Sequence, residues 1–243
     1  MTTKRHIFAI GDNGFVADPH THGLYQTILK TSGKTKPKVC LIPTASGDAQ
    51  DYMNAFHAMF QNYSCELSQV SLFRGDREDI ETQLMAQDVI YVTGGNTRNM
   101  LVLWKEWGVD QILRKAYEKG IVMAGGSAGS LCWFEGGVTD SIPGRFSSMQ
   151  CLGFLNGSNC PHYNELTRRP YYLEAVKDDL LRPGYAAENG VALHFENEIF
   201  KEAISAYSDR HAYFIEKNGN GVSERSIPVR TVAMCASFIT KIF

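Results

Sequence analysis

With 243 residues, 44% of them hydrophobic and 21% charged, the chain is long enough to bury a substantial core, as one domain of ordinary α/β size or at most two small ones. Its formal net charge is −2 with no long run of one sign, so neither nucleic acid nor an anionic membrane surface is an expected partner. The apolar run Ile7 to Ile10 behind the basic N-terminus is too short for a signal-peptide core, and no stretch approaches membrane-spanning length. Six scattered cysteines without a Cys-x-x-Cys pair point to a reducing cytoplasm, with no structural disulfide and no zinc knuckle.

Taken in order, residues 6–10 form a short strand stopped by Gly11-Asp12-Asn13-Gly14, and a helix over 24–31 ends by Gly33. Residues 38–42 are a second strand, closed by Pro43-Thr44-Ala45-Ser46-Gly47. A helix over 51–63, a strand over 66–72 and a short helix over 79–85 follow. The strand 88–92 runs into Thr93-Gly94-Gly95-Asn96-Thr97. Helices from 99 towards 104 and over 110–119 come next, the latter stopped by Gly120. Strands alternate with helices and are apolar throughout, the pattern of a mostly parallel, doubly wound α/β sheet covered on both faces. Beyond residue 133 the character changes. Residues 134–159, with Gly136-Gly137 and Pro143-Gly144, read as irregular surface excursions, and 171–181 as a helix. Residues 191–196 and 199–207 flank Asn197-Glu198 as a β-hairpin, and 213–216 leads to the turn Asn218-Gly219-Asn220-Gly221. The C-terminal third is expected to trim the main sheet rather than form a separate domain, with 232–243 packed on the body or a poorly ordered tail.

Chemistry concentrates at Gly125-Gly126-Ser127-Ala128-Gly129. An apolar run, residues 121–124, enters Gly-x-Ser-x-Gly and a small-residue helix start follows, the sequence form of a nucleophile elbow with Ser127 at its apex. The bland reading, a Gly-rich turn before a helix, is weakened by two further polar loops, residues 43–47 and 93–97, that would open on the same carboxyl edge of a parallel sheet. A serine nucleophile also needs two amides for the oxyanion; Ala128, just after it, is one, and the Gly94-Gly95 loop can offer another because no Cβ intervenes. Among seven histidines, His162 stands apart in Asn159-Cys160-Pro161-His162-Tyr163-Asn164, a loop whose approach a proline fixes.

These three motifs, Val92-Thr93-Gly94-Gly95-Asn96-Thr97, Gly125-Gly126-Ser127-Ala128-Gly129 and Pro161-His162-Tyr163, resemble in order and separation the peptidase E (aspartyl dipeptidase) and cyanophycinase family of serine peptidases, over roughly residues 5 to 215. The resemblance implies a sheet related to class I glutamine amidotransferases. It also implies Ser127 as nucleophile, His162 as base, and Gly95 and Ala128 as oxyanion amides. For the residue that orients His162, it points to the segment Ala187-Glu188-Asn189-Gly190: Glu188 is favoured, Asp140 stands behind it and Asn189 third, because an amide stabilises an imidazolium less than a carboxylate does. Arg168 lies near where peptidase E-like proteins carry an arginine and is the candidate for an acidic substrate side chain; Arg145 is weaker, and Asn96, Gly94, Thr44 and Ser46 could line the pocket.

The expected activity is therefore that of a cytoplasmic serine exopeptidase acting on short peptides, including dipeptides with N-terminal aspartate, with no metal or organic cofactor and working as a monomer or homodimer. An amidase or esterase, or a cyanophycinase-like β-aspartyl peptidase, could use the same machinery. A non-catalytic binding protein that keeps the fold is the rival of another class.

Overall fold

The computed structural model describes residues 3–12, 21–73 and 79–232. Its first sheet is built on five parallel strands, β1 (His6–Ile10), β2 (Lys38–Ile42), β3 (Glu66–Gln69), β4 (Val89–Val92) and β5 (Val122–Gly126). Between them run the helices α1 (His22–Thr31), α2 (Gln50–Phe60), α3 (Ile80–Met85), α4 (Thr97–Glu106) and α5 (Val109–Glu118). After β5 come the short helix α6 (Ala128–Leu131), strands β6 (Phe134–Ile142), β7 (Arg145–Gln150) and β8 (Leu155–Cys160), and helix α7 (Arg168–Lys177). The chain continues through β9 (Gly184–Ala187), β10 (Val191–Glu196), β11 (Ile199–Ser205), β12 (Ala212–Asn218), β13 (Gly221–Ile227) and β14 (Val229–Thr231).

The first sheet has the order β14-β11-β10-β1-β5-β4-β2-β3, with parallel pairing from β1 to β3 and antiparallel pairing of β10 with both β1 and β11. Its central strands are apolar throughout because both faces are covered. Ile7, Ala9, Cys40, Ile42, Ile90 and Val92 face a core shared with α3, α4 and α5, whereas the residues between them face α1 and α2. Helix α5 shows how periodicity makes this possible: Val109, Leu113, Ala116 and Tyr117 recur at helical spacing and are all buried.

Residues 134–159 depart from the irregular reading. They form three strands of a second sheet, ordered β13-β12-β9-β8-β6-β7. The glycines that suggested loops serve close strand packing instead: a Cβ on Gly137 would lie 2.0 Å from the carbonyl oxygen of Asn159 on β8. The C-terminal third divides. The hairpin β10–β11, turning on Asn197 and Glu198 with φ of 52° and 64°, and β14 extend the first sheet, whereas β9, β12 and β13 belong to the second. Helix α7 starts three residues earlier than expected and ends at Lys177. Residues 233–243, most of the expected tail, lie outside the described residues. One core joins the two sheets, with Phe134 and Leu155 of the second packed into the cluster that holds Phe195 and Ala203 of the first.

Candidate active site

Ser127 occupies the single position between β5 and α6. Its backbone, at φ 54° and ψ −109°, lies outside the regions an L-residue prefers, a conformation costing about 1–3 kcal/mol that persists only where the surroundings over-determine it. They do so here: the Ser127 amide donates to the Ile10 carbonyl on β1 (3.1 Å), and its own carbonyl accepts from Ser130 (3.0 Å) and Leu131 (2.9 Å). Gly129 lets α6 settle on β4, since a Cβ there would lie 2.2 Å from the Val92 carbonyl oxygen.

His162 is brought to Ser127 by the second sheet. It follows β8 and Pro161, has φ 56°, and its amide donates to the Gly11 carbonyl (2.7 Å), while the next amide, of Tyr163, donates to Ala187 (3.1 Å). The Tyr163 hydroxyl donates to Glu224 on β13, and Arg169 donates to the same carboxylate (2.5 Å), so the loop is tied down on both sides. The imidazole Nε2 lies 2.9 Å from Ser127 Oγ, and Nδ1 lies 2.8 Å from Asn189 Oδ1. With that oxygen as acceptor, Nδ1 carries the ring proton and Nε2 is free to accept from the serine hydroxyl.

The hydrogen-bond partner of Nδ1 is thus the amide of Asn189, with the Glu165 carboxylate farther off (Oε1 at 4.0 Å), and neither Glu188 nor Asp140, both ranked above Asn189 from the sequence, makes that contact. Glu188 turns the other way: its Oε2 accepts from the His211 amide (2.9 Å) and faces His211 Nδ1 (3.3 Å). Asp140 accepts from Arg168 Nη2 (2.9 Å). Asn189 is held by its own amide, which donates to Asn164 Oδ1 (3.0 Å), and by Gly190, whose amide donates to Asp12 Oδ2 (2.6 Å).

On the other side of Ser127 stands the loop after β4. Gly95 has φ 136°, and a Cβ there would lie 2.1 Å from the Ala45 carbonyl oxygen, so the loop can take this path only with glycine. Asn96 caps α4, accepting from the Asn99 amide (2.9 Å), and its Nδ2 donates to the Ser141 carbonyl (3.0 Å). Trp104, fully buried on α4, donates to Thr44 Oγ1 (3.1 Å) and ties this helix to the loop after β2. Among the described residues no oxygen accepts the amide of Gly95 or of Ala128.

Gly95, Asn96, Ser127, Asp140, Ser141, His162, Glu165 and Arg168 line one open cleft of about 350 Å³. Gly94 is buried rather than part of that lining, Thr44 is buried against Trp104, Ser46 bonds the Pro43 carbonyl, and Arg145 sits exposed at the start of β7. Glu165 and Ser141 escaped the sequence reading. Glu165 had a usable signal, its place three residues after His162 in a tight turn, where its amide donates to the His162 carbonyl (2.9 Å). Arg168 is buried. Burial opposes its charge, but the hydrogen bond to Glu165 and the neighbouring Asp140 and Glu165 carboxylates hold its pKa above the ordinary arginine value, so it stays a cation. A larger cavity of about 460 Å³, between β6, β7 and the segment before β9, contains neither Ser127 nor a histidine. Among the described residues no group of three or more His, Cys, Asp or Glu side chains could hold a metal ion, and no helix is long and apolar enough to cross a membrane.

A family model for peptidase family S51 matches residues 7–203. The chain belongs to family S51, the peptidase E family. It is 47% identical over 227 residues to the uncharacterized peptidase YgaJ of Bacillus subtilis (strain 168), covering 93% of this chain and 98% of that protein. It is 27% identical over 140 residues to the uncharacterized peptidase Lmo0363 of Listeria monocytogenes, covering 54% of this chain and 67% of the relative. Among solved structures, a peptidase from an acI-B1 Actinobacterium superposes with a TM-score of 0.70 at 14% identity, over 94% of this chain and 96% of that one. A protein assigned to peptidase E from Listeria monocytogenes EGD-e does so with a TM-score of 0.57 at 19% identity, over 93% and 100%. At these identities the structural likeness carries the fold alone. The family S51 match and the YgaJ identity make this chain a peptidase.

Proposed function

We propose that this family S51 chain is a serine exopeptidase of short peptides, working through an acyl-enzyme on Ser127. The observation that carries this reading is the chain of contacts from Ser127 Oγ through the His162 ring to Asn189, 2.9 and 2.8 Å long. Ser127 Oγ attacks the peptide carbonyl while His162 Nε2 takes its proton; the same nitrogen then protonates the departing amine, and a water activated by His162 hydrolyses the ester. The amides of Gly95 and Ala128 receive the oxyanion, a role supported by their lack of any acceptor among the described residues. Asn189 fixes the tautomer and tilt of His162, so the strand–serine–helix turn acts as a nucleophile elbow. A cleft of about 350 Å³ suits a ligand of dipeptide size, which favours exopeptidase action. The cytoplasm is the proposed location, supported by six scattered cysteines without a Cys-x-x-Cys pair.

Two measurements test the reading together. A fluorophosphonate should label Ser127 in the wild type and not in Ser127→Ala. The same substitution should lower hydrolysis of a dipeptide panel by roughly 10³-fold or more. Labelling with turnover of p-nitrophenyl esters but of no peptide would assign an esterase. Absence of both labelling and turnover would leave a binding protein that retains the fold.

A further inference from the structure

The charged wall of the cleft bears on which peptides it accepts. Arg168 is only 4% exposed, and its guanidinium is already engaged at two nitrogens and on one face: Nε donates to Glu165 Oε2 (2.8 Å), Nη2 donates to Asp140 Oδ2 (2.9 Å), and its central carbon lies 4.8 Å from the centre of the Phe146 ring. The two carboxylates are the accessible part of this cluster, with side chains 63% (Asp140) and 43% (Glu165) exposed. Three different elements hold them in place. Asp140 rides on β6 between Thr139 and Ser141, whose hydroxyls hydrogen-bond each other (2.7 Å) and whose strand is tied to α4 through Asn96 and Arg98. Glu165 is fixed in the His162 turn, and Arg168 in the first turn of α7. Two carboxylates against one guanidinium leave the wall with an excess negative charge beside Ser127.

Such a wall works against an acidic ligand. A substrate carboxylate that bonds the Arg168 guanidinium must either displace Asp140 or Glu165 or settle beside them, and stands close to like charge in both cases. An ammonium or guanidinium group needs no displacement, since it joins exposed carboxylates that keep their arginine. Resting on the serine-peptidase reading above, we propose that the cleft selects substrates by a positive charge next to the scissile bond, with Asp140 and Glu165 as specificity-determining residues and Arg168 as their internal counter-ion, and that it disfavours N-terminal aspartate. The charge has two possible sources in a short peptide, a basic first side chain or the free α-ammonium.

Wild-type protein with Lys-Leu, Ala-Leu, Asp-Leu and N-acetyl-Ala-Leu separates these sources. The ranking is read as kcat/KM and, independently, as protection of Ser127 from fluorophosphonate labelling. A side-chain cation predicts Lys-Leu above Ala-Leu. An α-ammonium predicts Ala-Leu above its acetylated form. Both place Asp-Leu below Ala-Leu, by about tenfold or more at low ionic strength, narrowing as salt is raised. Asp140→Asn and Glu165→Gln should each shrink the margin over Asp-Leu several-fold, and the salt series on the wild type gives the same information if either variant fails to fold. Asp-Leu ranking first or level, a margin indifferent to salt, or no protection by any of the four peptides would overturn the inference. If Ser127 is labelled while Asp-Leu ranks first, only the specificity inference falls; if Ser127 is not labelled at all, the serine-peptidase reading falls with it.

Discussion

The side chain that hydrogen-bonds Nδ1 of His162 is a neutral amide, Asn189, and this contact was the hardest to read from sequence. Glu188 and Asn189 are adjacent in the turn before β10, and neighbouring side chains in such a turn point apart, so one reaches Nδ1 of His162 and the other the backbone of His211. Chemical expectation favoured the carboxylate; only the backbone path decides which of the two faces the ring. The two residues should therefore respond differently to substitution. Asn189→Ala removes the acceptor that holds the Nδ1–H tautomer and should lower kcat by roughly 10- to 100-fold with little change in KM, whereas Asn189→Asp keeps an acceptor there and should retain turnover. Glu188→Ala should do the reverse. It strips the part-buried His211 amide of its charged acceptor, costing about 1–3 kcal/mol, which for a chain of this length lowers Tm by several degrees, while kcat stays within about twofold of wild type. Steady-state kinetics and thermal melts on the same three variants check both expectations. A kcat collapse in Glu188→Ala with an unaffected Asn189→Ala would reverse the assignment.

Among the elements, the turn between β5 and α6 was legible because its requirements are local: an apolar strand, two glycines and a small-residue helix start are all written within residues 121–131. The strands β6 to β8 were not, because their logic is non-local. Gly136 and Gly137 look like loop residues until the neighbouring strand is in place; then each marks a spot where backbone of β7 or β8 lies against it. The same contrast yields a test at Gly129. Its role is the contact between α6 and β4, where an added methyl would meet the Val92 carbonyl oxygen at 2.2 Å, an atom that cannot rotate away. Gly129→Ala must push α6 off the sheet, and overpacking of this kind costs about 1–3 kcal/mol or more. A lowered denaturant midpoint with unchanged m-value is expected, accompanied by slower labelling of Ser127 because the helix that shapes its turn has moved. Wild-type stability in this variant would show that the helix tolerates displacement and does not fix the serine.

Over the whole molecule, the geometry of the candidate site is a product of the two sheets meeting: Ser127 and Gly95 come from strand ends of the first, while Asp140 and His162 come from β6 and the loop after β8 of the second, and Arg168 from α7. Alternation of apolar strands and helices revealed the first sheet in the sequence, but nothing in that pattern reports how a second sheet docks, and the His162–Asn189 contact depends on that docking. Cohesion of the assembly should in turn depend on pH, through a buried pair of histidines in the first sheet. His6 Nδ1 on β1 lies 3.1 Å from His194 Nε2 on β10, where the parallel part of the sheet passes into the antiparallel hairpin, and Phe8 stacks on the His194 ring. Burial lowers the pKa of His194 to about 4, helped by the His6 and Lys201 charges and opposed by Glu202; burial also lowers that of His6, with Glu196 opposing and Lys201 and Lys4 assisting. The sign follows from which state takes up protons. Well above pH 6.5 both rings are neutral, folded or unfolded, and no stability is lost. Between pH 6.5 and about 4 the unfolded chain protonates His194 while the folded one resists, so stability falls as pH falls, by roughly 1–3 kcal/mol. Chemical denaturation at pH 7 and pH 5 should show this loss in the wild type and a smaller one in His194→Gln, which removes the titrating ring. Equal pH 5 losses in the two proteins would place the acid sensitivity elsewhere in the chain.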